Sequence, residues 1–175
     1  SRIEPVFDPR GPVLGIDPGV SRCGYGVVAR TGGSMRALAY GVIRTEPSTP
    51  LPDRLAELAD ELTALVAEYT PSALSVERVL FQNNARTAIS VGQASGLALV
   101  AAARAGVPVA QYSPNEVKLA VTGDGRAEKR AVQEMITRTL ALREVPRPPD
   151  AADALALACC HLWRVPLANL VGGTT

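Results

Sequence analysis

The stretch Val13-Leu14-Gly15-Ile16-Asp17-Pro18-Gly19 decides how the rest of the chain is interpreted. A short apolar run between turn residues is typical of a buried β-strand, so we predict a strand that ends at Asp17. Pro18 and Gly19 favour a tight reversal directly afterwards, because proline presets φ and glycine tolerates a positive φ. Gly19 and Gly24 carry no side chain and would let a bulky ligand approach. Asp17 therefore either bonds its own turn or serves a ligand.

The composition predicts one globular domain whose charge is divided along the chain. Of the 175 residues, 47% are hydrophobic and 20% are charged, with a net charge of +1. Residues 46–77 contain seven acids and one base, whereas residues 78–147 contain ten bases and five acids, which predicts an acidic and a basic face. No apolar run reaches the roughly 18 residues of a membrane span. Three cysteines without metal-ligand spacing favour buried thiols in the cytoplasm.

The order of the predicted elements indicates an α/β fold with a mixed sheet. Strands over 24–30 and 37–45 follow the first strand after short turns, which implies a three-stranded antiparallel meander. Helices then alternate with strands, so we expect five strands, with parallel ones added to the meander, and helices on both faces. The later predicted elements are a helix over 52–69, a strand over 73–77, a helix over 84–105, a strand over 107–112, and helices that begin at 113 and cover 126–142 and 150–163.

Four carboxylates are predicted to meet at one edge of this sheet. Asp17 and Glu77 each end a strand, and ligands of open α/β sheets bind at that edge. Asp150 and Asp153 share one face of a helix start, although capping alone would explain Asp150. Four bare carboxylates would repel one another, and Mg²⁺ or Mn²⁺ removes that cost with oxygen ligands. Two such ions about 3.5–4 Å apart can activate a water and stabilise the leaving oxygen of a phosphodiester.

Several segments, in this order, resemble the RuvC family of bacterial Holliday junction resolvases, over about residues 12–163. The resemblance implies the RNase H-like fold, a homodimer and a metal-dependent endonuclease of four-way DNA junctions. The family's four catalytic and metal-binding acids fall on Asp17, Glu77, Asp150 and Asp153. The matching segments are Gly15-Ile16-Asp17-Pro18-Gly19 with Gly24-Tyr25-Gly26-Val27, Val76-Glu77-Arg78-Val79, Gly92-Gln93-Ala94-Ser95-Gly96, Ala127-Glu128-Lys129, and Asp150-Ala151-Ala152-Asp153-Ala154-Leu155-Ala156.

The resemblance also implies a cofactor, partners and a domain layout. It implies two Mg²⁺ ions per site, for which Mn²⁺ can substitute, and paired symmetric nicks during recombination and repair. A branch-migration helicase complex is an implied partner, and no membrane association is expected. We assign residues 12–165 to the nuclease domain, residues 1–11 to an N-terminal extension, and residues 166–175 to a C-terminal tail.

DNA contacts are assigned by the same resemblance and by charge. Lys118 and Lys129 match family positions that contact DNA near the active site. The family often has an aromatic wedge in the loop after the second acid, where this chain has Leu80 followed by Phe81. Either Phe81 stacks on a base, or an apolar Leu80 suffices. The further candidate contacts are Arg78, Asn84, Arg86 and Ser113.

Two other functions fit part of the pattern. An actin-like ATPase or sugar kinase also opens with a strand, an aspartate and a glycine-rich hairpin, but it needs two such domains and a second phosphate loop. A module that binds junctions without cutting them would not need the complete set of acids. We assign His161, Tyr112 and Trp163 to packing.

Overall fold

The computed structural model describes residues 7–8, 10–78 and 84–165, and a five-stranded sheet forms its centre. The strand order is β3-β2-β1-β4-β5, with β1–β2 and β2–β3 antiparallel and β1–β4 and β4–β5 parallel. The predicted meander with added parallel strands is therefore confirmed. The strands are β1 (Val13–Asp17), β2 (Arg22–Thr31), β3 (Ser34–Arg44), β4 (Ala73–Glu77) and β5 (Val109–Tyr112).

Helices cover both faces of the sheet, as predicted. In the described part of the chain they are α1 (Leu51–Tyr69), α2 (Ala85–Arg104), α3 (Pro114–Thr122), α4 (Lys129–Thr139) and α5 (Pro149–Arg164). The first two pack together on one face, while α5 lies across β1 and β2 on the other and contacts α3 and α4. The acids of α1 are all exposed, which confirms its acidic outer face: Asp53, Glu57, Asp60, Glu61 and Glu68. None of the helices described is long and apolar enough to cross a membrane.

Side-chain alternation along β1 and β4 directs the two strand-end acids towards α5. Leu14 and Ile16 are buried in the core beneath α1 and α2, so the alternate residues of β1 face α5. In β4, the Ser75 hydroxyl donates a hydrogen bond of 2.7 Å to the Leu157 carbonyl of α5. Because β1 and β4 are parallel neighbours, Asp17 and Glu77 end side by side on the α5 face.

Glycines on the α5 face of the sheet let the helix backbone lie directly on the strands. A Cβ on Gly15 would overlap the Ala154 carbonyl oxygen, and one on Gly24 would overlap that of Asp150. The space at Gly24 is thus filled by α5, and the interpretation that it admits a ligand is wrong. Gly19 does not adopt a positive φ. Position 19 requires glycine because a Cβ there would overlap the Arg22 carbonyl oxygen.

The prediction that Tyr112 and His161 serve packing is confirmed, whereas the same prediction for Trp163 is wrong. The Tyr112 hydroxyl lies 2.7 Å from His161 Nδ1, and burial lowers the pKa of His161 to about 4. Phe7 packs edge-on against the same imidazole, with ring centroids 4.5 Å apart. Trp163, in the last turn of α5, leaves 39% of its surface exposed.

Candidate active site

The structure brings the four predicted acids around one cleft of about 390 Å³. Asp17 and Glu77 come from the ends of β1 and β4, and Asp150 and Asp153 come from the first turns of α5. Residues far apart in sequence therefore meet because α5 crosses the edge of the sheet at which the parallel strands end. The opposite wall of the cleft is formed by α3 and α4 and carries Lys118 and Lys129.

Asp150 is not the cap of α5. The N-cap residue is Pro148, which makes no side-chain capping bond, and Pro149 occupies the start of the helix. The Asp150 carboxylate instead lies 3.6 Å from Nε of Arg22. An acid in the first turn is favoured by the helix dipole, and this position also places Asp150 in the lining of the cleft.

The cleft concentrates negative charge that the protein only partly neutralises. Burial, followed by the carboxylates of Asp153, Glu77 and Asp150, raises the pKa of Asp17 to about 7. Burial and Asp153 likewise raise the pKa of Glu77. The pKa of Asp153 is raised by burial, although Lys129 opposes the shift. The carboxylates are therefore held at a cost that an added cation would remove.

Lys129 is the strongest internal counter-charge. Its ammonium lies 2.6 Å from Asp153 Oδ2. Burial lowers the pKa of Lys129, but the bond to Asp153 and the carboxylates of Asp153, Asp17 and Asp150 outweigh burial and raise it. The lysine is still 62% exposed at its side chain, so it can also reach a ligand in the cleft.

The residues of the cleft fit a hard divalent cation by their chemistry. The lining offers four carboxylates and neither histidine nor cysteine, which is the oxygen-donor set that Mg²⁺ and Mn²⁺ prefer. Within the described residues, no three potential ligands are gathered closely enough to form a ready-made metal site. The carboxylates raise the pKa of one another, and Asp153 is paired with Lys129. A bound cation would offset this repulsion and favour a closer approach of the carboxylates.

The predicted DNA contacts divide into those that line the cleft and those already bonded elsewhere. Lys118 and Lys129 line it. The Ser113 hydroxyl accepts from Glu116 N at 3.2 Å in a capping box, and the Asn84 side chain accepts from Arg86 N at 3.1 Å at the start of α2.

The arginines and the wedge residues have different positions. Arg78 and Arg86 are exposed, and Arg78 lies 3.9 Å from the Glu116 carboxylate. Leu80 and Phe81 lie outside the described residues, so their role stays a prediction.

Sequence reasoning missed Arg22 at the site. Its contact with Asp150 follows from strand alternation, because Arg22 precedes Gly24 by two positions and so shares the face that meets α5. That signal was present in the pattern, but it becomes useful only when the strand covered by α5 is known.

Comparison with known proteins identifies the family of the chain. The family model described as "Crossover junction endodeoxyribonuclease RuvC" matches residues 13–161. The chain belongs to the RuvC family. A RuvC of Salinispora arenicola is 58% identical over 153 residues, which is 87% of each chain. A RuvC of Desulfitobacterium hafniense is 47% identical over 161 residues, which is 92% of this chain and 98% of that protein.

A solved structure of a RuvC family member has the same fold. "T. thermophilus RuvC in complex with Holliday junction substrate" superposes with a TM-score of 0.83 at 40% identity, over 87% of this chain and 93% of that chain. The predicted RNase H-like fold is thus confirmed.

The charge in the cleft predicts a pH-dependent stability without metal. An acid whose folded pKa is raised contributes stability that is present below pH 3.8 and lost as the pH rises through about 7. Asp17→Asn removes that charge, so the metal-free variant should exceed the wild type in unfolding free energy at pH 8 by at most about 4 kcal/mol, and by far less at pH 4. Urea unfolding in a chelator at both pH values measures this.

Asp60→Asn on the exposed face of α1 is the matched control and should not change the pH profile. Parallel profiles for Asp17→Asn and the wild type would contradict the charge crowding described above.

Proposed function

We propose that this chain cuts Holliday junctions at the cleft formed by Asp17, Glu77, Asp150 and Asp153, with divalent metal ions held by those carboxylates. Family membership supplies the activity: the chain is a junction-resolving endodeoxyribonuclease that hydrolyses phosphodiester bonds. The observation that supports this location is the meeting of four carboxylates from β1, β4 and α5 around one cleft.

The nucleases of this family are metal-dependent, and we propose Mg²⁺ here, with Mn²⁺ as a substitute and two ions per site. The four carboxylates, in a lining without histidine or cysteine, and the raised pKa of Asp17 support this choice. When bound, the ions would supply a water that is nucleophilic at neutral pH and would neutralise charge at the leaving oxygen. Asp17 and Glu77 would hold them from the strands, and Asp150 and Asp153 from the helix.

The lysines of the cleft would bind the DNA backbone. The Lys129 ammonium is held by Asp153 in the free protein, and it would exchange this carboxylate for an oxygen of the scissile phosphate. Lys118 lies on the same wall and would bind that phosphate or a neighbouring one. Arg78 and Arg86 remain proposed phosphate contacts because both are exposed.

The outer face of α2 supports a homodimer. Ile89, Gly92, Gly96 and Val100 follow one another at helical spacing, and Ile89 and Val100 are 61% and 47% exposed. A Cβ at either glycine would meet nothing within 4 Å, so another helix can approach closely there. A four-way junction is nearly two-fold symmetric and needs two matched cuts, which a C₂ dimer would provide. We therefore propose that this stripe binds a second copy of the chain.

A helicase complex for branch migration is a proposed partner, and the cytoplasm is the proposed location. The buried and unpaired thiols of Cys23, Cys159 and Cys160 suit a reducing compartment.

Substitution of one proposed metal ligand should stop cleavage and spare binding. Asp153→Asn keeps the shape of the side chain but removes its charge, so we expect the rate of junction cleavage in Mg²⁺ to fall at least about 100-fold. The assay follows an end-labelled synthetic four-way junction on a denaturing gel, and fluorescence anisotropy in a chelator measures binding. Asp60→Asn should cut at the wild-type rate. Unchanged cleavage by Asp153→Asn would overturn the assignment of the site.

A charge placed in the α2 stripe should separate the dimer. Ile89→Asp would bury a carboxylate against the partner, so light scattering should show the mass of one subunit where the wild type shows two. Leu38→Asp, at a residue 48% exposed on β3, is the control and should remain dimeric. A monomeric wild type, or a dimeric Ile89→Asp, would refute the proposed interface.

A further inference from the structure

Two arginines lie at the same edge of the sheet as the acids of the cleft. Arg22 begins β2 and Arg44 ends β3, and they are direct register partners in the antiparallel pair. Because β2 runs antiparallel to β1, its first residues lie beside the end of β1, where Asp17 is found. Both arginines are exposed. Positive charge thus adjoins the cleft on the side of β2 and β3, across the sheet from β5 and the Lys118 wall.

The arginine pair is not explained by the stability of the sheet. Like charges directly opposite each other on neighbouring strands are destabilising. Arg22 has partial compensation from Asp150, at 3.6 Å, whereas none of the ion pairs between described residues includes Arg44. The arginines line a hollow of about 550 Å³ whose rim also carries Glu46 and Glu57. An anion between the two guanidinium groups would relieve their repulsion.

A third arginine fixes the strand ends that carry this pair. Arg54 of α1 donates from Nε to the Thr45 hydroxyl at 2.9 Å and from a terminal nitrogen to the Ser21 hydroxyl at 2.6 Å. Ser21 directly precedes Arg22, and Thr45 directly follows Arg44. The Thr45 hydroxyl also donates to the Val20 carbonyl at 2.6 Å. The guanidinium fork of Arg54 thereby holds both backbones in place, which reduces the ordering cost of binding a ligand there.

The distance across the two outer strands corresponds to a few nucleotides of DNA. Neighbouring strands lie about 4.8 Å apart, so β2 and β3 are roughly 5 and 10 Å from β1. Phosphates of one DNA strand rise about 3.4 Å per nucleotide along the helix axis and, because the strand winds around that axis, they lie farther apart than this rise. A DNA strand laid along this edge with one phosphate at Asp17 would bring phosphates one to three nucleotides away over Arg22 and Arg44.

We propose that Arg22 and Arg44 form a second backbone-binding site, which holds phosphates of the cleaved strand one to three nucleotides from the scissile bond. The inference rests on the proposed function, because it needs the scissile phosphate in the cleft. In the free protein Arg22 lies 3.6 Å from the Asp150 carboxylate, and Lys129 lies 2.6 Å from that of Asp153. DNA binding exchanges both carboxylates for phosphates and frees them for metal.

Arg44 gives the cleanest test, because Arg22 contacts a proposed metal ligand. Anisotropy with a synthetic junction in a chelator measures binding without cleavage. Arg44→Ala should weaken binding about three- to tenfold and lower the slope of log K against log salt by about 1. Arg44→Lys should keep the slope. Arg36→Ala, an exposed arginine at the other end of β3, should bind as the wild type does. Thermal unfolding confirms that each variant is folded.

A neutral methylphosphonate placed in turn at each of the three positions on either side of the cut locates the contact. At one of these positions, the methylphosphonate should weaken binding by the wild type by the same factor as Arg44→Ala does. It should not weaken binding by Arg44→Ala any further. The second site would be overturned if Arg44→Ala had wild-type affinity and salt slope. It would also be overturned if the losses from Arg44→Ala and from the methylphosphonate were additive at every position. Cleavage by the wild type in Mg²⁺ tests the proposed function separately. If the wild type cuts the junction while Arg44→Ala binds with wild-type affinity and salt slope, only the second site is refuted.

Discussion

The direct contact between the α5 backbone and the glycine face of β1 and β2 is the constraint on which the site depends. Gly15 and Gly24 leave no room for a Cβ beneath the carbonyls of Ala154 and Asp150. The helix can therefore lie against the strands at backbone distance, with its first turn at the edge where β1 and β4 end. Larger side chains at these two glycines would push α5 away from the sheet. They would thereby move Asp150 and Asp153 away from Asp17 and Glu77.

This arrangement concentrates repulsion between carboxylates in the cleft that we propose to bind metal. Folding brings four carboxylates to a half-buried cleft, and the pKa of Asp17 rises to about 7 because burial and its neighbours disfavour its charge. Lys129 and Arg22 each contact one acid of α5 and offset part of the repulsion. Both are exposed cations, so they can be released when phosphate and metal enter. The free protein thus offsets part of its negative charge with the same groups that we propose to contact DNA.

The sequence was sufficient for features that depend on local pattern. The strands Val13–Asp17 and Ala73–Glu77 have the predicted bounds, because each is an apolar run closed by an acid and a turn. The helix predicted over 126–142 is shorter, from Lys129 to Thr139. A turn precedes it, in which Asp124 accepts hydrogen bonds from the amides of Arg126 and Ala127.

Features that depend on tertiary contact could not be derived in this way. The role of Gly24, the contact of Arg22 with Asp150, and the bridge of Arg54 between two strand ends all require knowledge of which helix covers which face. The gathering of the acids was predictable because three arguments agreed: Asp17 and Glu77 end strands, Asp150 and Asp153 share a helix face, and the family resemblance points to the same four residues.

The most direct test of the cation-holding cleft is a crystal structure of the wild type soaked in Mn²⁺, with anomalous scattering recorded at the manganese edge. We predict anomalous peaks between Asp17, Glu77, Asp150 and Asp153, with the Lys129 ammonium displaced from Asp153. A cleft without a peak at saturating Mn²⁺, or manganese bound only at other carboxylates, would contradict the account.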